Sequence, residues 1–352
     1  MSLRRALIAL GAGLSLLGSA LVAGPAQAAT VVTVPLATVV EKARSVAGFW
    51  LADDAANLRN ATPYTLWAVA GGERLTTGAV PDGPAYRVPP IGPENPPAGD
   101  LITTSGKVFF VGSDGLPHWC TGTSVQSNYR NLVATAGHCL LDTEAPMGSL
   151  GNWVFVPAYS DGAMPFGLYV GKHGVVHNDF ENVLDYDRDY AFATVYNGVV
   201  PSSPDGLASV GRLGDNVGGL GLAANQPLPP AADVFGYPAG LHPDGTGSYT
   251  GRTLERSTGP TFALRPTGLP ADRAVGVDSP FTGEGSLGSA WVTGYASDTR
   301  TGYLNGLTIS VADTDGDNRY DTGISPYFDT GLIQVYRDAA NRWTGSITYV
   351  SG

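Results

Sequence analysis

Glycine and proline punctuate this sequence from end to end, at 48 and 26 of its 352 residues. Each interrupts regular structure by its own mechanism, glycine through backbone freedom and proline through a fixed φ and a missing N–H. Segments between such interruptions are too short for a long-helix bundle or a coiled coil, and they suit many short strands joined by turns. Short apolar runs of strand character recur at Gly106–Val111, Asn131–Ala136, Trp153–Val156, Ala191–Val195 and Val234–Tyr237. Their spacing predicts an all-β sandwich or barrel. Helix-like apolar spacing is confined to Val39–Trp50 and to Gly331–Ala339 near the C-terminus.

The first 28 residues read as an export signal, residues 1–28, with basic Arg4 and Arg5, an apolar run from Ala6 to about Ala23, and the small-residue site Ala26-Gln27-Ala28. The expected location is therefore secreted and extracellular, with no membrane association once the signal is cut. No later stretch has the roughly 18 apolar residues of a membrane span. The formal net charge of −11, more negative still without Arg4 and Arg5, repels nucleic acid and anionic lipid. Residues 29–99 read as a leader or pro-region; from Pro81 to Pro97 nine of seventeen residues are Pro or Gly, the composition of an extended linker. The principal domain is expected over 100–352.

Cys120 and Cys139 are the only cysteines. In an oxidising compartment an isolated pair forms one disulfide, here closing a loop of about 20 residues and contributing about 3 kcal/mol. Cys139 ends the run Thr135-Ala136-Gly137-His138-Cys139. A histidine that works as a general base has to be held with little freedom, and a disulfide on its neighbour anchors it. His118, His173, His177 and His242 lack such surroundings and read as surface residues.

In these residues the chain resembles the trypsin-like, chymotrypsin-fold serine peptidases, and most of all their secreted actinobacterial branch, over about Gly106 to Ala340. The resemblance implies a double β-barrel with a C-terminal helix. It also implies hydrolysis of protein or peptide substrates through an acyl-enzyme, with no cofactor required. His138 would be the base. Asp189, in Arg188-Asp189-Tyr190-Ala191-Phe192, would be the carboxylate that orients the imidazole and stabilises its cation.

The order histidine, aspartate, nucleophile then places the nucleophile near Thr282-Gly283-Glu284-Gly285-Ser286-Leu287-Gly288-Ser289-Ala290-Trp291. Two registers are open. Anchored on Thr282-Gly283, Ser286 is the nucleophile, with backbone N–H groups near Gly285 as the oxyanion site. Anchored on Trp291 and the glycines, Leu287 stands where the serine belongs. The sharp turn favours glycine two residues before the nucleophile and one after it, as Gly285 and Gly288 flank Leu287. In that register the domain is an inactive homologue, an extracellular binding module built on the old cleft. The signature's final proline is Ala290 here, and the family's second cysteine pair is absent.

A separate acidic turn, Asp313-Thr314-Asp315-Gly316-Asp317, continues to Asp321. Carboxylates of Asp313, Asp315, Asp317 and Asp321 could offer oxygen ligands to a structural Ca²⁺.

Overall fold

The computed structural model describes residues 30–65, 71–78, 80–94, 102–143, 148–203, 206–247 and 249–348. The export signal and Gly99, the expected domain boundary, lie outside them.

Two antiparallel barrels form the body. The first is built from β1 (Ser105–Val111), β2 (Pro117–Val125), β3 (Leu132–Thr135), β4 (Gly151–Pro157), β5 (Tyr169–His177) and β6 (Ala191–Val195). Its order is β5-β4-β1-β2-β3-β6, and pairing of β5 with β6 closes six strands into a ring. The second uses β7 (Ala231–Gly236), β8 (Glu255–Thr267), β9 (Ala274–Asp278), β10 (Ala290–Ala296), β11 (Thr301–Leu307), β12 (Ser310–Ala312) and β13 (Thr322–Pro326). Its path is β12-β13-β9-β8-β7-β10-β11. β11 runs on through Thr308 and Ile309 into β12, which pairs with β13, so this sheet also curls into a ring. The all-β, double-barrel expectation holds.

β1 shows how alternation sorts side chains between two cores. Val108 and Phe110 join one buried apolar cluster, while Phe109 joins another that includes Trp50 of the leader helix. Lys107 shares the face of Phe109.

Segments of residues 31–75, within the stretch read as a leader, are built into both barrels. Val31–Pro35 pairs antiparallel with β5, Thr62–Pro63 runs parallel to β2, and Gly71–Leu75 pairs with β8. Helix α1 (Val40–Asn60) is broken at Ala52–Ala55, where Asp53, Asp54 and Ala55 take positive φ. Its first half buries Ala43, Val46, Ala47 and Trp50; the Trp50 ring lies 5.6 Å from Phe109 and its Nε1–H donates to Asn152 O at 2.6 Å.

The Pro-rich stretch differs from a free linker. Tyr86–Val88 pairs antiparallel with Gly221–Ala224, and Asp82 accepts from Thr330 N at 3.0 Å. Proline keeps this stretch extended, and the consecutive non-proline residues Tyr86, Arg87 and Val88 complete a sheet edge. The C-terminal helix α2 (Thr330–Ala340) forms as expected. Asp329 caps it by accepting from Gly331 N and Leu332 N, and Leu332, Val335, Tyr336 and Ala339 face inward.

Candidate active site

Pairing of β3 with β6 assembles the polar centre. Ala191 sits opposite Thr135, so the residues just beyond Thr135 and just before Ala191 converge. Gly137–Cys139 forms a short 3₁₀ turn after β3, and Cys139 is bonded to Cys120 of β2 with Cα atoms 6.2 Å apart. Asp189, fully buried, approaches from the other side. Its Oδ1 accepts from His138 N at 2.9 Å and its Oδ2 lies 2.6 Å from His138 Nδ1. Two bonds to one carboxylate fix the ring's position and place the proton on Nδ1, which leaves Nε2 as the base. Glycine is needed at 137 because a Cβ there would meet the Phe180 ring at 2.6 Å and Asp189 Oδ1 at 2.9 Å.

His138 is only 2% exposed, and its Nε2 has no hydrogen-bond partner among the described residues. Position is right for a general base, yet no serine hydroxyl meets it. Ser286, fully buried, donates from Oγ to Gly283 O at 3.1 Å. Ser289, also fully buried, has an unpartnered Oγ directed at Gly236, where a Cβ would lie only 1.8 Å away.

Leu287 lies at the centre of the loop. Gly285 and Gly288 on either side have φ of +70° and +83°, the left-handed region that glycine enters without strain. Thr121 N, next to the bridged Cys120, donates to Leu287 O at 2.8 Å, and Thr121 Oγ1 donates to Gly285 O at 2.9 Å. Packing is tight enough that a Cβ on Gly288 would stand 2.1 Å from Thr121 O, and one on Gly285 would stand 2.1 Å from Cη2 of Trp119. The Leu287 side chain is fully buried, in the apolar cluster that contains Cys120, Cys139 and Ala136. The loop is therefore clamped against the disulfide through the backbone of Leu287.

Asp278, at the end of β9, is engaged by the leader, since Arg74 Nη2 bonds its Oδ1 at 2.6 Å. In the acidic turn, carboxylate oxygens of Asp313, Asp315 and Asp317 lie within 4.8 Å of one another. Asp321 does not join them. It accepts from Thr314 N at 3.0 Å and from Thr314 Oγ1 at 2.8 Å. Asp313 is itself tied to Gly316 N at 2.7 Å and Asn318 N at 2.8 Å.

Two of the histidines expected at the surface are buried. His177 Nδ1 accepts from Asp179 N at 3.1 Å and caps a short helix, and His242 Nδ1 accepts from Tyr320 N at 3.0 Å. Burial lowers the pKa of both, which suits neutral rings acting as acceptors.

No family model and no curated protein matches the sequence. Solved structures do. The protease Anisep from Arthrobacter nicotinovorans is 26% identical, with a TM-score of 0.56 over 72% of this chain and 100% of its own. The thermostable serine protease AL20 from an extremophilic microorganism is 26% identical, with a TM-score of 0.54 over 68% of this chain and 98% of its own. A Glu endopeptidase, at 16% identity and a TM-score of 0.50, shares the fold. The chain has the chymotrypsin fold and is similar to trypsin-like serine proteases, with the actinobacterial branch fitting it.

Proposed function

We propose that this protein is an exported peptidase homologue that binds polypeptide and does not cleave it. The observation that carries the reading is the hydrogen bond from Thr121 N to Leu287 O, which seats Leu287 between the two left-handed glycines. A leucine has no group that His138 could deprotonate, and loss of a triad nucleophile costs on the order of a million-fold in turnover. The His138–Asp189 pair favours the other reading, a peptidase acting through Ser286. That reading requires Ser286 Oγ to leave Gly283 O and reach His138 Nε2.

Polypeptide as the ligand follows from the proteases of the same fold. A preference for lysine or arginine side chains is not expected of this domain, because Arg74 already neutralises Asp278. Export is supported by the signal-like residues 1–28 and by the disulfide, and among the described residues no helix is long and apolar enough to cross a membrane. The carboxylates of Asp313, Asp315 and Asp317 are the hard oxygen donors that Ca²⁺ takes, and in this reading the ion is structural only.

The test is reaction with a fluorophosphonate probe. The expected result is no covalent adduct on the folded chain. An adduct that disappears in Ser286→Ala establishes the peptidase reading instead.

A further inference from the structure

Lys107 is the most unusual side chain outside the His138 centre. It sits mid-strand in β1 and is only 4% exposed. Aromatic rings surround its ammonium position, with Nζ 3.4 Å from the ring centre of Trp119, 4.7 Å from Tyr159, 5.5 Å from Tyr237 and 5.8 Å from Phe109. Among the described residues no carboxylate pairs with it. The charged groups nearby are committed elsewhere: Asp161 to Arg252 at 2.6 Å, and Arg59 to Asp54 at 3.0 Å. Ring faces attract a cation, but burial outweighs them and pushes the lysine pKa down to about 6.

The amine does not lie in solid core. Lys107, Trp119 and Tyr159 line a cavity of about 180 Å³ together with Leu58 and Pro63 and the exposed Asp161–Arg252 pair. A cavity of about 150 Å³ accepts benzene, so the space suits a compact molecule with an apolar body. An uncharged amine at the floor of an aromatic-walled cavity is an activated nucleophile.

We propose that Lys107 captures small aldehydes, holding them in this cavity as an imine on Nζ. The Nζ lone pair forms a bond to the carbonyl carbon while the carbonyl π pair moves onto oxygen and is protonated. The carbinolamine then loses that oxygen as water, which carries away both amine protons, and C=N remains. Nothing is oxidised or reduced. The site is independent of whether the His138 centre is catalytic, although Trp119 of the cavity wall also has its ring edge against Gly285.

The chain has three lysines, Lys42, Lys107 and Lys172, which makes the test direct. The folded protein is treated with benzaldehyde and cyanoborohydride at pH 7, and chymotryptic peptides are followed by mass spectrometry. Lys107 is expected to be alkylated at least about tenfold faster than Lys42 and Lys172, because an ordinary lysine is almost wholly protonated at that pH. Its rate should stay nearly flat from pH 7 to 9, while that of exposed Lys42 climbs about tenfold per unit. Thr250→Trp, at the cavity's exposed rim, should slow Lys107 alone, with the lysine itself left in place. Alkylation of Lys107 no faster than Lys42, or a rate that climbs with pH as Lys42 does, overturns the proposal.

Discussion

Replacing Lys107 with methionine should stabilise the protein, and the gain should depend on pH in a defined direction. In the unfolded chain the ammonium has its ordinary pKa of 10.5; in the folded chain burial lowers it to about 6. Between those values the folded state binds fewer protons than the unfolded state, so the wild type gains stability as pH rises. Each pH unit corresponds to about 1.4 kcal/mol. At pH 7 the proton that must be released costs about 5 kcal/mol; the cost reaches about 6 kcal/mol below pH 6 and nearly vanishes by pH 10.5. Met is unbranched and close to lysine in shape, so Lys107→Met removes the charge with little change of packing. Urea unfolding of both proteins at pH 6, 7, 8 and 9 isolates this residue, because every other titration is common to the two. The variant should be more stable at pH 6 and 7 by several kcal/mol, with the difference shrinking toward pH 9. A pH-independent difference, or a less stable variant, would refute the reasoning and show that the ammonium is retained in the folded state.

Other outcomes follow from buried partners elsewhere. Asp329 is 1% exposed, accepts from two N–H groups of α2 and pairs with both Arg188 and Arg273, so Asp329→Ala leaves two guanidinium groups facing an empty site. It should cost about 3–5 kcal/mol in urea unfolding. Replacing Cys120 and Cys139 together by serine should lower stability by about 3 kcal/mol and loosen the His138 turn, measurable as faster amide exchange there. Ca²⁺ should raise the melting temperature relative to chelator, with Asp315→Ala removing the shift; equal temperatures with and without Ca²⁺ exclude the ion from this turn.

The parts of the site set by short-range chemistry were legible in the sequence. Thr135 to Cys139 combines a strand end, a glycine that no side chain can replace, a base and its anchoring cysteine in five consecutive residues. Asp189 could be placed because an acid directly before an apolar strand arrives beside that turn once β6 pairs with β3. The spacing of Gly285 and Gly288 by itself marks Leu287 as the centre of the loop.

What was not legible depends on backbone pairing or on distant packing. Strands Val31–Pro35 and Tyr86–Val88 attach to sheet edges through main-chain bonds, which leave little imprint on side-chain pattern. Lys107 follows Gly106 in an apolar run, where no pattern of neighbours reports that a lysine is buried. It is buried by rings from separate segments, Trp119, Tyr159 and Tyr237, that come together over that face. His177 and His242 looked peripheral because their partners are backbone N–H groups, which no sequence pattern reports. Spacing alone groups Asp321 with the other aspartates, but the hydroxyl and amide of Thr314 draw its carboxylate away.

The most direct test of the central claim compares fluorophosphonate labelling of the wild type with that of Leu287→Ser. The account predicts an unlabelled wild type and, in Leu287→Ser, one adduct at the substituted position, formed with the help of the standing His138–Asp189 pair. Labelling of the wild type at Ser286 or Ser289 would contradict it.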